Sequence, residues 1–123
     1  MNLKLVFRIN AAIFLINGAG LLFATSMFFG MAGLTMSPSL GTVGQFVGVT
    51  FIFLALLSWR IPEVAENSIS ALGQLFGIGS ALWTLIVLYH IVSGQIAGPT
   101  AYINVALLAI FTALFFMYSR EQN

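Results

Sequence analysis

Four long apolar segments, almost free of charge, restrict the fold of this chain more than any other feature of its sequence. They cover about residues 9–29, 41–59, 69–92 and 100–118. Each contains roughly 19 to 24 residues, enough for a helix to cross a hydrocarbon core about 30 Å thick. The connecting segments contain Pro38, Pro62 and Pro99, and proline interrupts a continuous helix. The pattern therefore predicts four transmembrane helices joined by three turns.

The composition agrees with a membrane protein and disagrees with a soluble one. Hydrophobic residues make up 60% of the 123-residue chain and charged residues 6%. A soluble domain of this composition has too few polar residues to cover its surface, whereas a bilayer accepts apolar side chains on every outward face. We predict one domain, residues 1–123, folded as an all-α bundle of four transmembrane helices. The chain contains no cysteine, which excludes disulfides and thiol chemistry.

The charged residues predict how the bundle is oriented. They are Lys4, Arg8, Arg60, Glu63, Glu66, Arg120 and Glu121. All of them precede the first span, lie between the second and third, or follow the fourth, so alternation of the helices places them on one side. Since the four basic residues are all on that side, the positive-inside rule predicts that both termini are cytoplasmic. The net charge of +1 gives no sign of a nucleic-acid partner.

Two similar hexamers, GQFVGV and GQLFGI, each contain a GxxxG spacing. Their glycines are Gly44, Gly48, Gly73 and Gly77. Small residues at this spacing let a neighbouring helix backbone approach closely, so we interpret both hexamers as helix-packing surfaces. Their glutamines, Gln45 and Gln74, are expected near opposite membrane faces, about 20 Å apart along the membrane normal. They therefore cannot share a small ligand, and each amide is free to bond across a helix contact.

Asn10 and Asn17 are seven residues apart, which places them on one stripe of the first helix. An amide within the hydrocarbon needs a partner, and a bond to another helix is worth about 0.6 to 2 kcal/mol. The first interpretation of this stripe is structural. The second is that it lines a pathway for a small solute, an ion or a lipid.

His90, the only histidine, ends the segment LWTLIVLYH near the predicted outer interface. One interpretation is an interfacial side chain in contact with headgroup water. The other is an axial ligand, because an imidazole binds haem iron and can bind the magnesium of chlorophyll. The sequence requires no cofactor and predicts no metal cluster, but a pigment held by a single ligand at His90 is compatible with it.

Catalytic chemistry is not expected. The acidic residues are three glutamates at the predicted cytoplasmic rim, and aspartate is absent. No intramembrane carboxylate pair and no Ser-His-Asp arrangement can be assembled from such a set. We therefore predict that the protein is not an enzyme.

One resemblance to a known family covers about a third of the chain. The run GLLF, then Pro38, Gly41 and Gly48, and the segment FIFLALLSWR resemble the first two helices of small, uncharacterised four-helix bacterial membrane proteins of the DoxX-like kind. The resemblance implies a helical bundle in a bacterial inner membrane. It implies no activity and no functional residues.

These observations predict a non-catalytic accessory or structural subunit that packs laterally in a larger membrane complex. The chain offers mainly apolar lateral surface, which lipid covers and which other transmembrane helices, of a complex or of a second copy, can also cover. Two alternatives remain open. One is a pathway protein that uses Asn10 and Asn17, and the other is a pigment- or haem-bearing subunit that uses His90.

Overall fold

The computed structural model describes residues 2–121 and is built from helices. The α-helices are α1 (Leu3–Phe23), α2 (Thr25–Met31), α3 (Pro38–Val64), α4 (Ile69–Val92) and α5 (Pro99–Glu121). A 3-10 turn over Glu66–Ser68 precedes α4, and the described chain contains no strand. Four helices, α1, α3, α4 and α5, are long and apolar enough to cross a membrane. The prediction of an all-helical chain with four such segments is confirmed, while residues 1, 122 and 123 of the predicted domain lie outside the described residues.

The first predicted span, residues 9–29, differs most from the structure. The Asn2 side chain accepts a hydrogen bond of 2.9 Å from the Leu5 amide, and this N-cap starts α1 at Leu3. At the other end the helix breaks at Ala24, and α2 follows as a separate short helix. The Phe28 ring of α2 lies 3.1 Å from the point where a Cβ of Gly20 would stand. The absence of a side chain at Gly20 therefore lets α2 fold back against α1.

Helix α3 continues beyond its predicted end at residue 59. Its N-cap is Ser37, whose hydroxyl accepts a hydrogen bond of 3.1 Å from the Leu40 amide, and the helix ends at Val64. Pro62, which we expected to mark the turn, lies inside the last turn of the helix. Proline removes a single backbone bond there, and the helix ends two residues later, so the cost of the interruption is small. Helix α4 covers the predicted span 69–92.

The helices associate mainly as two pairs, α1 with α3 and α4 with α5, and α1 also contacts α4 and α5. Two glycines bring the first pair together. A Cβ built on Gly18 would stand 2.8 Å from the Gly48 carbonyl oxygen, and one built on Gly48 would stand 2.9 Å from the Gly18 carbonyl oxygen. The backbones of α1 and α3 thus touch at a point that no larger residue allows.

We call the end of the bundle that holds the start of α1, the end of α3, the start of α4 and the end of α5 the charged end. Lys4 pairs with Glu66 at 3.0 Å, Arg8 with Glu63 at 2.9 Å, and Arg60 also pairs with Glu63. The main buried cluster lies at this end and consists of Leu3, Val6, Phe7, Ile61, Ile69, Phe111 and Phe115. The opposite, uncharged end carries α2 and the loops at residues 32–37 and 93–98.

Candidate binding cavity

A cavity of about 310 Å³ extends through the bundle toward the uncharged end. Helices α1, α3, α4 and α5 form its walls, and α2 contributes Phe28 and Phe29. Its volume is at the lower end of the range for small-molecule sites, about 300 to 1,000 Å³. The helices that pack tightly at the charged end therefore leave room for a small molecule farther along the bundle.

Every asparagine of the four long helices lines this one cavity: Asn10 and Asn17 on α1 and Asn104 on α5. Asn10 is buried and its Nδ2 donates a hydrogen bond of 2.9 Å to the Ser58 hydroxyl of α3. Asn17 and Asn104 are half-buried. Neither of these two side chains makes a hydrogen bond to another of residues 2–121. The cavity therefore contains two amides whose donors and acceptors are free for a ligand or water.

Aromatic rings form a continuous wall along one side of the cavity. The Phe14 and Phe51 ring centroids are 5.6 Å apart, and the Phe51 and Trp83 centroids are also 5.6 Å apart with the rings edge to face. All three residues line the cavity, and they come from α1, α3 and α4. This wall joins helices of the two pairs and presents a large apolar surface to whatever occupies the space.

Two loops cover the uncharged end beside the cavity. The Ala97 amide donates a hydrogen bond of 2.8 Å to the Ala32 carbonyl oxygen, which joins the loop before α5 to the end of α2. Gly98 adopts a φ of +100°, and a Cβ there would stand 2.5 Å from the Met31 carbonyl oxygen. Glycine is required at this position both by the backbone conformation and by the close contact. Ala32 and Ile96 line the cavity from these loops.

The cavity lining is uncharged. Apart from apolar and aromatic residues, it contains the three asparagines and Thr100. An ion inside such a cavity would lack a countercharge, which is costly within a bilayer. The arrangement therefore suits a neutral molecule that is mostly apolar and carries one or two hydrogen-bonding groups. Its lining residues include no histidine, lysine, cysteine or carboxylate.

The four glycines of the hexamers each lie against another helix. A Cβ on Gly44 would meet the Phe29 ring of α2, and one on Gly73 would meet Ser119 of α5. A Cβ on Gly77 would stand 3.0 Å from the Phe116 ring of α5. Gly48 contacts α1, as described above. The contribution of the GxxxG spacing to stability stays a prediction.

The two glutamines lie toward opposite ends of the bundle, Gln45 toward the uncharged end and Gln74 toward the charged end. Gln45 and Gln74 are exposed, and neither side chain makes a hydrogen bond within the described part of the chain. The interpretation that these amides are free to bond across a helix contact stays a prediction. Each glutamine directly follows a packed glycine, and the adjacent position on a helix points away from the contact.

His90 lies outside the cavity lining, at the uncharged end of α4. Its ring is half-buried and packs edge to face on Tyr89, with centroids 5.3 Å apart. Within residues 2–121 no group of three or more histidine, cysteine, aspartate or glutamate residues could hold a metal ion. The hypothesis of a pigment ligand at His90 stays a prediction.

Sequence reasoning found Asn10 and Asn17 but missed the rest of the cavity. Asn104 is the only asparagine in α5, and the rarity of intramembrane amides was the signal that could have joined it to the other two. Phe51 and Trp83 gave no such signal, because aromatic residues are common throughout the apolar segments. Only the packing of the helices shows which rings face inward.

No family model, no curated protein and no solved structure matches this chain. The resemblance to DoxX-like proteins therefore stays a prediction.

Proposed function

We propose that this is a non-catalytic integral membrane protein that binds a small molecule in the cavity between its helices. The cavity either holds this molecule or forms part of the path along which the molecule crosses the bundle. One observation carries the proposal: the three asparagines of the long helices, on two different helices, all line the same cavity. If the three asparagines served only separate helix contacts, there would be no reason for all of them to face the same cavity. Their convergence favours the pathway interpretation of the Asn10 and Asn17 stripe.

The energetics of the amides support this proposal. A polar group held away from water without a partner costs about 1 to 3 kcal/mol. Asn10 avoids this cost through its bond to Ser58, but Asn17 and Asn104 make no hydrogen bond within the described residues. Polar side chains at such depth are expensive and most often serve a function. A ligand, or water that a ligand displaces, would supply the missing partners.

Matched valines on α3 test whether the cavity is occupied. Val47 lines the cavity, whereas Val49 is 54% exposed two residues later. The protein is purified in mild detergent, denatured, and the released small molecules are quantified by mass spectrometry. We expect one molecule to be released by the parent and by Val49→Phe, and to be lost from Val47→Phe. Equal release from all three, or release from none, would contradict the proposal.

The charges suggest the membrane orientation. With its Lys and Arg side chains in the cytoplasm, the charged end is inside, both termini are cytoplasmic, and the cavity extends into the outer leaflet. By the family resemblance we place the protein in a bacterial inner membrane. Two reporters are fused after Ser119, one that is active only in the cytoplasm and one that is active only in the periplasm. We expect activity from the cytoplasmic reporter alone, and activity of the periplasmic reporter would overturn this orientation.

A second candidate function is an accessory subunit of a larger membrane complex, and the exposure of α4 favours it. The segment Glu66–Val92 has the smallest buried share of the four candidate spans, 11%. Its outward residues include Leu75 and Leu82, each more than 60% exposed. Gly79 lies among them, with open space at its Cβ position. Such a face can pack against a helix of another chain.

Photo-crosslinking in intact membranes tests this second function. A photoreactive residue replaces Leu82 on α4 or Phe53 on α3, which is 60% exposed and serves as the matched control. A discrete protein adduct is expected from position 82 only. Adducts of the same yield from both positions, or from neither, would speak against a partner on α4.

A further inference from the structure

We infer that the molecule bound in the cavity is a neutral, planar ring compound that carries carbonyl or hydroxyl oxygens, with those oxygens bonded to Asn17 and Asn104. This inference rests on the proposed function, since it assumes that the cavity is a binding site. It adds the chemical class of the ligand and the residues that recognise it. Three features of the cavity lead to it.

The first feature is the pair of amides. Each asparagine offers two N–H donors and a carbonyl acceptor, so it can bind either a carbonyl or a hydroxyl oxygen. Asn17 lies six residues before the end of α1, and Asn104 lies five residues after the start of α5. Because the two helices run in opposite directions, these residues lie at a similar depth, about 8 to 9 Å from their helix ends at the uncharged end. A single ligand can therefore contact both amides.

The second feature is the aromatic wall of Phe14, Phe51 and Trp83. A ring compound gains offset or edge-to-face contacts with such rings in addition to apolar burial, whereas an acyl chain gains burial alone. Neighbouring rings of the wall are tilted or edge to face, with interplanar angles of 50° and 64°. The wall therefore presents both ring faces and ring edges, which complement a planar ligand.

The third feature is the absence of charge from the cavity lining. A carboxylate, phosphate or ammonium group would enter without a countercharge, at a cost that two amides do not offset. This disfavours ionised fatty acids, phospholipid headgroups and free ions as the molecule held at Asn17 and Asn104. Together with the aromatic wall, it favours neutral quinones and phenols, which dissolve in the membrane and carry the required oxygens.

Fluorescence of Trp83 provides the test, because this residue forms part of the cavity wall. The chain has two tryptophans. Trp59→Phe leaves Trp83, in the cavity wall, as the single fluorescent reporter. Trp83→Phe leaves Trp59, at the charged end, as the single reporter. The probe is 2-methyl-1,4-naphthoquinone, added to the purified protein in nanodiscs. We expect saturable quenching with Trp83 as reporter. With Trp59 as reporter, only the unsaturable quenching due to free probe in the membrane is expected.

Asparagine variants then test the recognition. Asn17→Leu and Asn104→Leu should each weaken quinone binding by up to about tenfold, as expected for one lost hydrogen bond. Gln74→Leu removes an exposed amide outside the cavity and should leave binding unchanged. Unsaturable quenching of Trp83, or undiminished binding in both asparagine variants, would overturn the inference.

A comparison with 1-decanol separates this inference from the function on which it rests. A ligand that binds only the folded protein raises its melting temperature. Stabilisation by the quinone, reduced in Asn17→Leu, supports both proposals. Saturable stabilisation by decanol with none by the quinone overturns the ring class but preserves the cavity as a binding site. If neither probe stabilises the protein and no molecule is released from the purified parent, the proposed function fails as well.

Discussion

The charged and uncharged ends of the bundle are made from the same four helices but are filled in different ways. At the charged end, Phe7 is fully buried and packs edge to face on Phe76 and Phe115, with ring centroids 5.1 and 5.0 Å away. Toward the uncharged end, aromatic residues instead line a cavity of about 310 Å³. Among the described residues, the ion pairs that join α1 to α3 and to the segment before α4 lie at the charged end.

This difference shows where the bundle can leave space without losing its fold. Close-packed rings gain contacts on every side, whereas rings around a cavity lose those on the side of the void. The charged end can therefore hold α1, α4 and α5 together while the other end stays open. The Gly18 and Gly48 contact and the bond between Asn10 and Ser58 join α1 to α3 along the length of the cavity.

The largest expected effect comes from the same substitution made at the two ends. Phe7→Ala removes a fully buried ring from the packed cluster, and we expect it to cost about 3 to 5 kcal/mol of unfolding free energy. Phe51→Ala enlarges an existing cavity and removes fewer contacts, so we expect less than half that cost. Detergent unfolding followed by circular dichroism measures both values. Equal losses would show that the two ends contribute alike and would break the comparison.

The contact between α1 and α3 gives an effect of intermediate size. In Gly48→Ala the new Cβ would stand 2.9 Å from both the Gly18 oxygen and the Leu22 nitrogen. Backbone atoms cannot move aside as a side chain can, so we expect a loss of about 1 to 3 kcal/mol in the same unfolding measurement. At Gly77 the neighbour is the Phe116 ring, which can rotate, and the loss should be smaller.

Gly79→Ala is the matched control for this glycine series. Apart from the neighbouring backbone of its own helix, no described atom lies within 4 Å of its Cβ position, and alanine is favoured over glycine in a helix by up to about 1 kcal/mol. This variant should be as stable as the parent or slightly more so. If Gly48→Ala behaves like Gly79→Ala, the close approach of α1 and α3 does not contribute to stability.

The sequence was sufficient to predict the helical class, the approximate positions of the long helices and the concentration of charge at one end. These features follow from composition and from runs of apolar residues, which are local. The break at Ala24 depends on Phe28 packing over Gly20, a tertiary contact without a sequence signal. Pro62 was taken to end α3 because proline usually does so, but in the last turn its cost is small.

The cavity was predictable only in part, for a related reason. Asn10 and Asn17 were recognised as one stripe because both lie on α1, where spacing along the sequence determines the face. The addition of Asn104 depends on how α5 is placed against α1, which the sequence pattern does not specify. The same holds for Phe51 and Trp83 among the many rings of the apolar segments, and for Gln45 and Gln74, whose outward position depends on which neighbour each helix meets.

The smallest expected effect separates the two asparagines of α1. Asn10→Leu removes the donor of a buried hydrogen bond and leaves the Ser58 hydroxyl without this partner, so we expect a loss of about 1 kcal/mol. Asn17→Leu breaks no hydrogen bond within residues 2–121, and leucine has the same branched shape, with room for its larger volume in the cavity. In the unliganded protein, water in the cavity bonds to Asn17 in place of a ligand, so the unfolding free energy of this variant should equal that of the parent within about 0.5 kcal/mol.

A double-mutant cycle with Ser58→Ala checks that the loss at position 10 comes from the bond. If it does, Asn10→Leu and Ser58→Ala together should cost less than the sum of their separate losses, because the second change removes a partner that is already unpaired. Asn17→Leu and Ser58→Ala should instead be additive. A loss at Asn17 as large as that at Asn10 would mean that Asn17 has a structural partner in the folded bundle. In that case the cavity would have one free amide, Asn104, and the difference between the two ends would lie in packing alone.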